Sequence, residues 1–350
     1  MRKEMYRMER ERAIALFARA NVVRVAAVDE VGAPLLKTVH GVVVDGALAF
    51  HGAPAGEKAA AIGRPCVVAA EEVVAPIPSW FVDEERACPA TTYYLSAQAH
   101  GTLERVDEPE AKARVLAALM AKLQPEGRHV PVDADHPLYR KAVQGILIVR
   151  VALDRVDGKA KLGQNRAPDE LRRIVELLWA RGAAGDARAI ESIREANPRV
   201  EPPAFLRAPD GARLSCAMEE RDLDALTPQL AAQYWNEGVP WRTIARAHSS
   251  STAWVGARDE RGCAFASARA MADGKRAWIY DVVVAPAWRG RGLGRAVVRL
   301  LLDHPSVRGA RETLLATRDA QPFYRAFGFV DRARLPPKSY SSTEMVRLSI

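Results

Sequence analysis

The sequence predicts two domains, a small antiparallel β-barrel followed by a mixed α+β domain. The chain has 350 residues, which is more than one hydrophobic core usually serves. Residues 1–160 contain strand-like segments joined mainly by hairpins and not by helices, an order that favours a barrel over a doubly wound parallel sheet. Residues 204–350 alternate between helical and strand-like segments, which is typical of an α+β domain.

The segments of the first half follow one another as such a barrel requires. Helical patterns cover residues 3–20, 56–62 and 109–123. Strand-like patterns cover residues 22–28, 35–44, 47–51, 65–74, 91–106 and 145–156. The dipeptide Asp45-Gly46 predicts a tight hairpin between two of these strands, because both residue types tolerate the positive φ that such a turn requires.

Beyond the barrel, helices are predicted at residues 169–181 and 186–196, and the proline-rich segment 198–203 is the predicted linker. The expected boundaries are 1–165 for the barrel, 166–203 for a helical connector and linker, and 204–350 for the second domain. In that domain, helices are expected at 222–235, 292–302 and 322–327. Strands are expected at 214–218, 253–257, 263–270, 276–284 and 312–316, followed by a terminal strand.

The net charge of +8 does not by itself indicate a nucleic-acid-binding protein. Most of it, +6, lies in residues 201–350, where 22 basic and 16 acidic side chains are spread without a run of Lys or Arg. A duplex-binding face concentrates its charge more than this, and phosphorylated ligands explain the excess equally well. We therefore expect no nucleic-acid partner.

Other compositional features narrow the class further. No segment approaches the roughly 18 consecutive apolar residues of a membrane span, and residues 1–12 are charged, without the apolar stretch of a signal peptide. We expect a cytoplasmic protein that does not engage a membrane. The 4 cysteines lie apart from one another and from histidines, so we expect reduced thiols and no metal site.

The most informative segment is a valine-rich strand that leads into a glycine-rich turn and a helix. The strand ends in Val282, Val283 and Val284, and the turn reads Arg289, Gly290, Arg291, Gly292, Leu293, Gly294, Arg295. Glycines let successive backbone N–H groups approach an anion, the helix N-terminus adds its positive end, and arginines add charge-assisted contacts. The segment predicts a pyrophosphate-binding turn. Its spacing also fits a dinucleotide-binding fold, but no βαβ array follows it.

The spacing Arg289-x-x-Gly292-x-Gly294 resembles the acetyl-CoA-binding motif of the GNAT N-acetyltransferase superfamily. The resemblance continues through residues 315–329, which end in the Phe-Tyr-x-x-Phe-Gly-Phe pattern, and it covers roughly residues 205–350. It implies a GNAT fold in which strand 282–284 pairs with the pantetheine amides of acetyl-CoA and the backbone of residues 289–295 holds the pyrophosphate. It also implies that an amine attacks the thioester directly.

Direct transfer needs a base for the acceptor ammonium and an acid for the departing thiolate. Tyr324 stands where relatives carry the acid; the alternative is an aromatic side chain that only packs. Asp281, at the end of the strand, is the candidate base; the alternative is a structural turn or cap residue. The acceptor pocket is expected from residues 234–241, where aromatic side chains and Glu237 suit a cationic amine, or else only pack. His248 is expected to have no special role.

A second anion-binding pattern lies in the first half, where residues 50–58 form a strand, a small-residue turn and a helix carrying Lys58. With residues 94–101 and 161–166, it resembles the FMN-binding split barrel of the pyridoxamine 5′-phosphate oxidase-like superfamily, in particular its nitroimidazole-resistance and FMN-binding regulator branches. The resemblance spans about residues 10–185. It implies a homodimer with FMN between its subunits, contacted by Leu36, Lys37, Thr38, His51, Gly52 and Lys58.

The two resemblances together predict an acetyl-CoA-dependent N-acetyltransferase, acting on a small-molecule or peptidyl amine, fused to an FMN-binding domain. Ala33-Pro34 stands where true pyridoxamine phosphate oxidases carry a phosphate-binding arginine, so that oxidation is not expected. Reduction chemistry, such as nitro-group reduction, and sensing both remain open for the barrel. The alternative is a regulatory protein whose barrel senses flavin or haem and controls the acetyltransferase or a partner.

Overall fold

The computed structural model describes residues 4–335, which divide into two compact units, Met1–Ala204 and Phe205–Ile350. The two helices predicted as a connector lie in the first unit. Within the described residues, no helix has the length and apolar character that crossing a membrane requires.

Two antiparallel sheets form the framework of the first unit. Its strands are β1 (Arg7–Met8), β2 (Val23–Val28), β3 (Pro34–Val39), β4 (Val42–Val44), β5 (Ala47–Gly52), β6 (Pro65–Ile77), β7 (Thr91–Thr102), β8 (Glu104–Val106), β9 (Leu147–Ala152) and β10 (Val156–Lys161). The larger sheet has the order β1-β10-β7-β6-β2-β3, and the smaller has the order β4-β5-β9-β8. Strand β3 is therefore an edge strand, and this position matters for the candidate flavin site.

Six helices accompany these sheets. They are α1 (Arg10–Arg19), α2 (Glu57–Ala60), α3 (Pro109–Leu123), α4 (Arg140–Gly145), α5 (Pro168–Arg181) and α6 (Asp186–Ala196). Every second residue of β2 is buried, and the fully buried Phe17, Phe50 and Tyr93 fill the core between the elements. The hairpin predicted at Asp45-Gly46 is confirmed, since both residues have positive φ and join β4 to β5.

The predicted first helix is too long at its beginning. Arg7 and Met8 instead form a short strand against β10, and α1 starts at Arg10. The pairing depends on Gly158, because a Cβ there would lie 2.8 Å from the Met8 carbonyl oxygen. This contact joins residues about 150 positions apart in the chain, and local periodicity therefore does not reveal it.

Among the residues that the structure describes, the second unit is a five-stranded sheet with helices packed on it. Its strands are β11 (Arg213–Ser215), β12 (Ala253–Arg258), β13 (Ala264–Ala272), β14 (Arg276–Val284) and β15 (Glu312–Leu314), paired in that order. Its helices are α7 (Glu220–Ala231), α8 (Trp241–Ser249), α9 (Leu293–Asp303), α10 (Pro305–Arg308) and α11 (Gln321–Arg325). Neighbouring strands are antiparallel except β14 and β15, which are parallel.

Two differences from the expected elements concern the second unit. The helix expected to reach residue 235 ends at Ala231, three residues after Pro228, and Tyr234–Asn236 forms a separate 3₁₀ turn. The terminal strand expected after residue 327 is not found up to residue 335, and the positions beyond that lie outside the described residues.

Candidate functional site

The glycine-rich turn of the second unit leaves backbone N–H groups available at the start of a long helix. Gly290 and Gly292 both have positive φ, 77° and 78°, a conformation that strains any other residue. The first backbone bond across the start of α9 runs from Ala296 N–H to the Gly292 carbonyl, at 3.1 Å. The N–H groups of residues 293–295 precede it and are not used inside the helix, so they suit an anion.

The three arginines of this turn differ in how they are held. Arg289 donates from Nε to the Val284 carbonyl at 3.0 Å, which fastens the turn to the end of β14. Arg291 lies over the Trp288 ring, 5.0 Å from its centroid, and Nη1 is 3.3 Å from Asp210. Arg295 is exposed on the first turn of α9. All three are near the helix N-terminus, as a phosphate-binding turn requires.

Strand β14 separates from strand β15 before it reaches this turn. Its parallel pairing with β15 covers only Arg276–Trp278 within the described residues, and its pairing with β13 is interrupted by a bulge between Ser267 and Arg269. The backbone of residues 279–284 is therefore unpaired on the β15 side among those residues. Such an edge can pair with the amide groups of an extended ligand, which is the role expected for Val282, Val283 and Val284.

Asp281 lies at the bulge and is fully engaged by its neighbours. Its φ is 49°, its carboxylate accepts hydrogen bonds from Arg269 Nε (2.5 Å) and Trp235 Nε1 (2.8 Å), and His248 Nε2 is 3.3 Å away. Burial alone would raise its pKa, but the His248 and Arg269 side chains outweigh burial and lower the pKa to about 2.

This environment does not fit the predicted role of Asp281 as the catalytic base. A carboxylate with so low a pKa has little affinity for a proton at neutral pH, and this one already accepts two hydrogen bonds and lies 3.3 Å from His248 Nε2. The alternative interpretation, a structural residue at a turn, describes the observed geometry. His248, from which no role was expected, is fully buried at the end of α8 and is part of this cluster.

Tyr324, on α11, lies in the same cavity lining as Asp281 and Arg289. Its ring packs edge-on against Phe323 and Phe329, with centroid distances of 5.0 and 5.9 Å. Burial, with a smaller contribution from Tyr234, raises the pKa of Tyr324 to about 12. The phenol therefore keeps its proton throughout the physiological range and can act as a hydrogen-bond donor.

The cavity next to these residues has a volume of about 1400 Å³. Tyr234, Trp235 and Glu237 line it, as expected of an acceptor pocket, whereas Trp241 packs against the hydrophobic core. Two lining residues that sequence reasoning missed are Trp278 and Tyr280. They alternate along β14 with the buried Ala277 and Ile279, and this period-two pattern was the available signal.

In the first unit, the structure brings most of the predicted flavin contacts together. Lys37 of β3 forms an ion pair with Glu57 of α2, and Lys58 follows directly. The Lys58 side chain lies over Gly52, where a Cβ would come within 2.8 Å of Lys58 Cε. Burial, then the Lys58 ammonium and His40, lower the pKa of His51. Leu36 and Thr38 point to the exposed face of β3.

These residues fit an anionic ligand group. Glu57 forms its ion pair with Lys37. Lys58 has no acidic partner among the described residues, so the charge of Lys58 is available to a phosphate. The outer edge of β3 carries backbone groups that no other described strand pairs, and these can contact a planar ring system. The arrangement suits FMN or another anionic ring cofactor.

Comparisons with known proteins agree with this division. Residues 9–160 match the sequence model of the pyridoxamine 5′-phosphate oxidase family, and residues 217–329 match that of the acetyltransferase (GNAT) family. The chain therefore carries a pyridoxamine 5′-phosphate oxidase-like domain followed by a GNAT domain. Both the resemblances and the fold class expected from the sequence are confirmed.

Curated relatives match parts of the chain. Glucosamine 6-phosphate N-acetyltransferase 1 of Oryza sativa subsp. japonica is 42% identical over 60 residues, covering 17% of this chain and 36% of the relative. GCN5-related N-acetyltransferase 1, chloroplastic, of Arabidopsis thaliana is 35% identical over 128 residues, covering 34% of this chain and 62% of the relative. An uncharacterised protein of Mycobacterium leprae is 29% identical over 159 residues, covering 40% and 42%. The chain thus spans 36 to 62% of the length of these relatives.

Solved structures resemble each half. An FAD- and haem-binding protein from Mycobacterium smegmatis has 24% identity and a TM-score of 0.40, covering 48% of this chain and 79% of that one. An acetyltransferase structure of the GNAT family from Xanthomonas campestris pv. campestris has 25% identity and a TM-score of 0.34, covering 38% and 96%.

Proposed function

We propose that the GNAT domain transfers the acetyl group of acetyl-CoA to an amine and that the N-terminal domain binds a flavin. The observation that carries the first part is one continuous site. Arg289 of the predicted anion-binding turn, residues 279–282 of the unpaired strand edge and the protonated Tyr324 phenol line the same cavity, and the turn continues into α9. A phosphate, an extended amide chain and a thioester need these three features.

The transfer step uses few residues. The acceptor nitrogen attacks the thioester carbonyl carbon, a C–N bond forms, and the C–S bond breaks. Tyr324 donates a hydrogen bond to the developing thiolate and passes its proton to it, the newly bonded nitrogen releases its second proton to water, and water returns a proton to the phenol. The acceptor must first lose its ammonium proton to solvent. Glu237 attracts the ammonium, because its carboxylate has no ion pair among the described residues, whereas Asp281 is engaged.

A thiol-release assay tests this proposal. The full chain is incubated with acetyl-CoA and a panel of amines, and free coenzyme A is measured, together with the acetyl-CoA dissociation constant by calorimetry. We expect saturable acetyl-CoA binding and amine-dependent thiol release. Absence of both would overturn the proposed acetyltransferase activity.

The flavin proposal rests on Lys58, His51 and the open edge of β3. Lys58 would hold the phosphate, His51 would lie beside the ring system, and the β3 backbone would contact the ring. Bound flavin would supply reversible electron transfer, suited to reduction chemistry or to sensing. The visible absorption spectrum of the purified chain distinguishes the outcomes: a flavin band supports the proposal, and a Soret band would favour the haem-sensing alternative.

A homodimer through the barrel is part of this proposal. The edge strand β3 exposes 65% of Leu36, and the preceding turn exposes 87% of Val31, so apolar surface and unpaired backbone lie together. Light scattering of the full chain should give the mass of two copies, and Leu36→Asp should shift it to one copy. A monomeric parent chain would contradict the dimer. The cytoplasmic location stays a prediction.

A further inference from the structure

The acceptor side of the GNAT cavity is lined by four aromatic side chains from two separate elements. Tyr234 and Trp235 come from the 3₁₀ turn after α7, and Trp278 and Tyr280 come from β14. Each remains 37 to 39% exposed. Large aromatic side chains usually bury most of their surface, so four of them facing one cavity offer apolar area to a ligand.

Hydrogen bonds orient two of these rings, and the other two lie against each other. Trp235 donates its indole N–H to Asp281 at 2.8 Å, and the Tyr234 hydroxyl accepts the backbone N–H of Arg318 at 3.1 Å. The Trp278 and Tyr280 rings lie 6.1 Å apart and nearly parallel, at 29°. A fixed aromatic wall loses little entropy on binding a flat group.

Polar groups around the cavity are largely paired with one another. The Asn236 amide donates to the Leu230 carbonyl, the Gln233 amide donates to the Gln229 carbonyl, and the Thr317 hydroxyl accepts from Ala320 N–H. Asp281 already accepts hydrogen bonds from Trp235 and Arg269. An amino sugar needs several directional hydrogen bonds, and this lining offers it few unused partners.

The charges of the lining disfavour a polycation, because Asp281 and Asp319 are already paired with Arg269 and Arg318. Arg318 lies over the Tyr234 ring, 4.0 Å from its centroid, and Arg269 lies over the Tyr280 ring at 4.7 Å. The corresponding faces of these two rings are therefore occupied by guanidinium groups, and further cationic centres would be repelled. One ammonium group can still be attracted by Glu237, which has no ion pair among the described residues.

We infer that the acceptor is an arylalkylamine, a monocationic primary amine on a short chain that ends in an aromatic ring. This inference rests on the proposed acetyltransferase function and names its substrate class. The ring packs against the aromatic wall formed by Tyr234, Trp235, Trp278 and Tyr280, and the amine faces the thioester.

The test compares acceptors on the full chain. The probes are 2-phenylethylamine, spermidine and glucosamine 6-phosphate, and kcat/KM is measured for each at saturating acetyl-CoA. We expect 2-phenylethylamine to exceed the other two by at least about tenfold. Equal or better use of spermidine or glucosamine 6-phosphate would overturn the acceptor class.

Substitution of Trp278 tests whether the aromatic wall is responsible. Trp278→Leu should lower kcat/KM for 2-phenylethylamine about tenfold, whereas Trp278→Phe, which keeps a ring, should stay within about threefold of the parent. Trp80→Leu is the matched control, because Trp80 is 48% exposed in the other domain. Equal values for Trp278→Leu and the parent chain would contradict the inference.

Binding measurements distinguish failure of the proposed acceptor class from failure of the proposed acetyltransferase activity. If acetyl-CoA binds but 2-phenylethylamine is not acetylated, the acceptor class is wrong and the proposed cosubstrate stands. If acetyl-CoA does not bind and no amine releases thiol, the acetyltransferase proposal fails, and the acceptor class fails with it.

Discussion

The turn at residues 289–292 and the turn at residues 53–56 each follow a strand and precede a helix, yet they present positive charge to a ligand by different means. Helix α9 has 11 residues, and its N-terminal N–H groups can carry the interaction with an anion. Helix α2 has only 4 residues and contributes little dipole, so the charge comes from the Lys58 side chain. Anion binding at residues 289–292 should therefore depend on backbone conformation. Anion binding near residues 53–56 should depend on the single ammonium group of Lys58.

The largest expected effect separates chemistry from binding in the GNAT domain. Tyr324→Phe should lower kcat by about 10²- to 10⁴-fold, because the thiolate loses its proton donor. The dissociation constant of acetyl-CoA and the flavin spectrum should not change. Since the pKa of Tyr324 is raised to about 12, the parent enzyme should also show no loss of kcat from phenol ionisation near pH 10. A kcat within threefold of the parent would remove Tyr324 from the mechanism.

Asp281→Asn should show that the negative charge of Asp281 stabilises the bulge that precedes the turn at residues 289–292. The pKa of Asp281 is lowered from 3.8 to about 2, so the ionised form stabilises the fold by about 2 kcal/mol. This stabilisation is complete above about pH 5 and is lost as the pH falls through 4 towards 2.

The measurement is the melting temperature of the transition that acetyl-CoA shifts, recorded for the parent chain and Asp281→Asn. The difference between them should be several degrees at pH 7 and should shrink as the pH approaches 2. A pH-independent difference would mean that lost packing, and not the charge of Asp281, explains the effect.

Gly292→Ala tests the dependence on backbone conformation directly. A side chain at φ 78° strains the turn by about 1 to 2 kcal/mol, so acetyl-CoA affinity should fall about tenfold. Gly274→Ala is the matched control, because Gly274 has φ 85° in the hairpin between β13 and β14, away from the turn. Equal losses for the two variants would indicate general destabilisation.

Lys58→Gln concerns the other domain and should give an effect of about the same size. One charge-assisted contact to phosphate is worth about 1.5 kcal/mol, so FMN affinity, measured by fluorescence titration, should fall about tenfold. Lys141→Gln, at an exposed position of α4, provides the control. Unchanged FMN affinity in Lys58→Gln would show that the first domain does not depend on the Lys58 ammonium group to bind phosphate.

The sequence alone determined the domain types and predicted the anion-binding turn. Glycine spacing, a preceding strand and a following helix are local features, and each has a conformational meaning that does not depend on distant residues. The Asp45-Gly46 hairpin was predictable for the same reason. The family resemblances added Tyr324 and Lys58 to the candidate site residues, since both lie in contiguous sequence motifs.

Only the tertiary structure decided the surroundings of Asp281 and which aromatic side chains line the cavity. Asp281 meets Trp235, His248 and Arg269, which lie 46, 33 and 12 positions away in the chain. Burial and charge pairing between such distant residues lower its pKa, which does not favour the predicted role as a base. The same long-range packing placed Trp278 and Tyr280 beside Tyr234 and Trp235, because side-chain environments, unlike turns, depend on which elements the fold brings together.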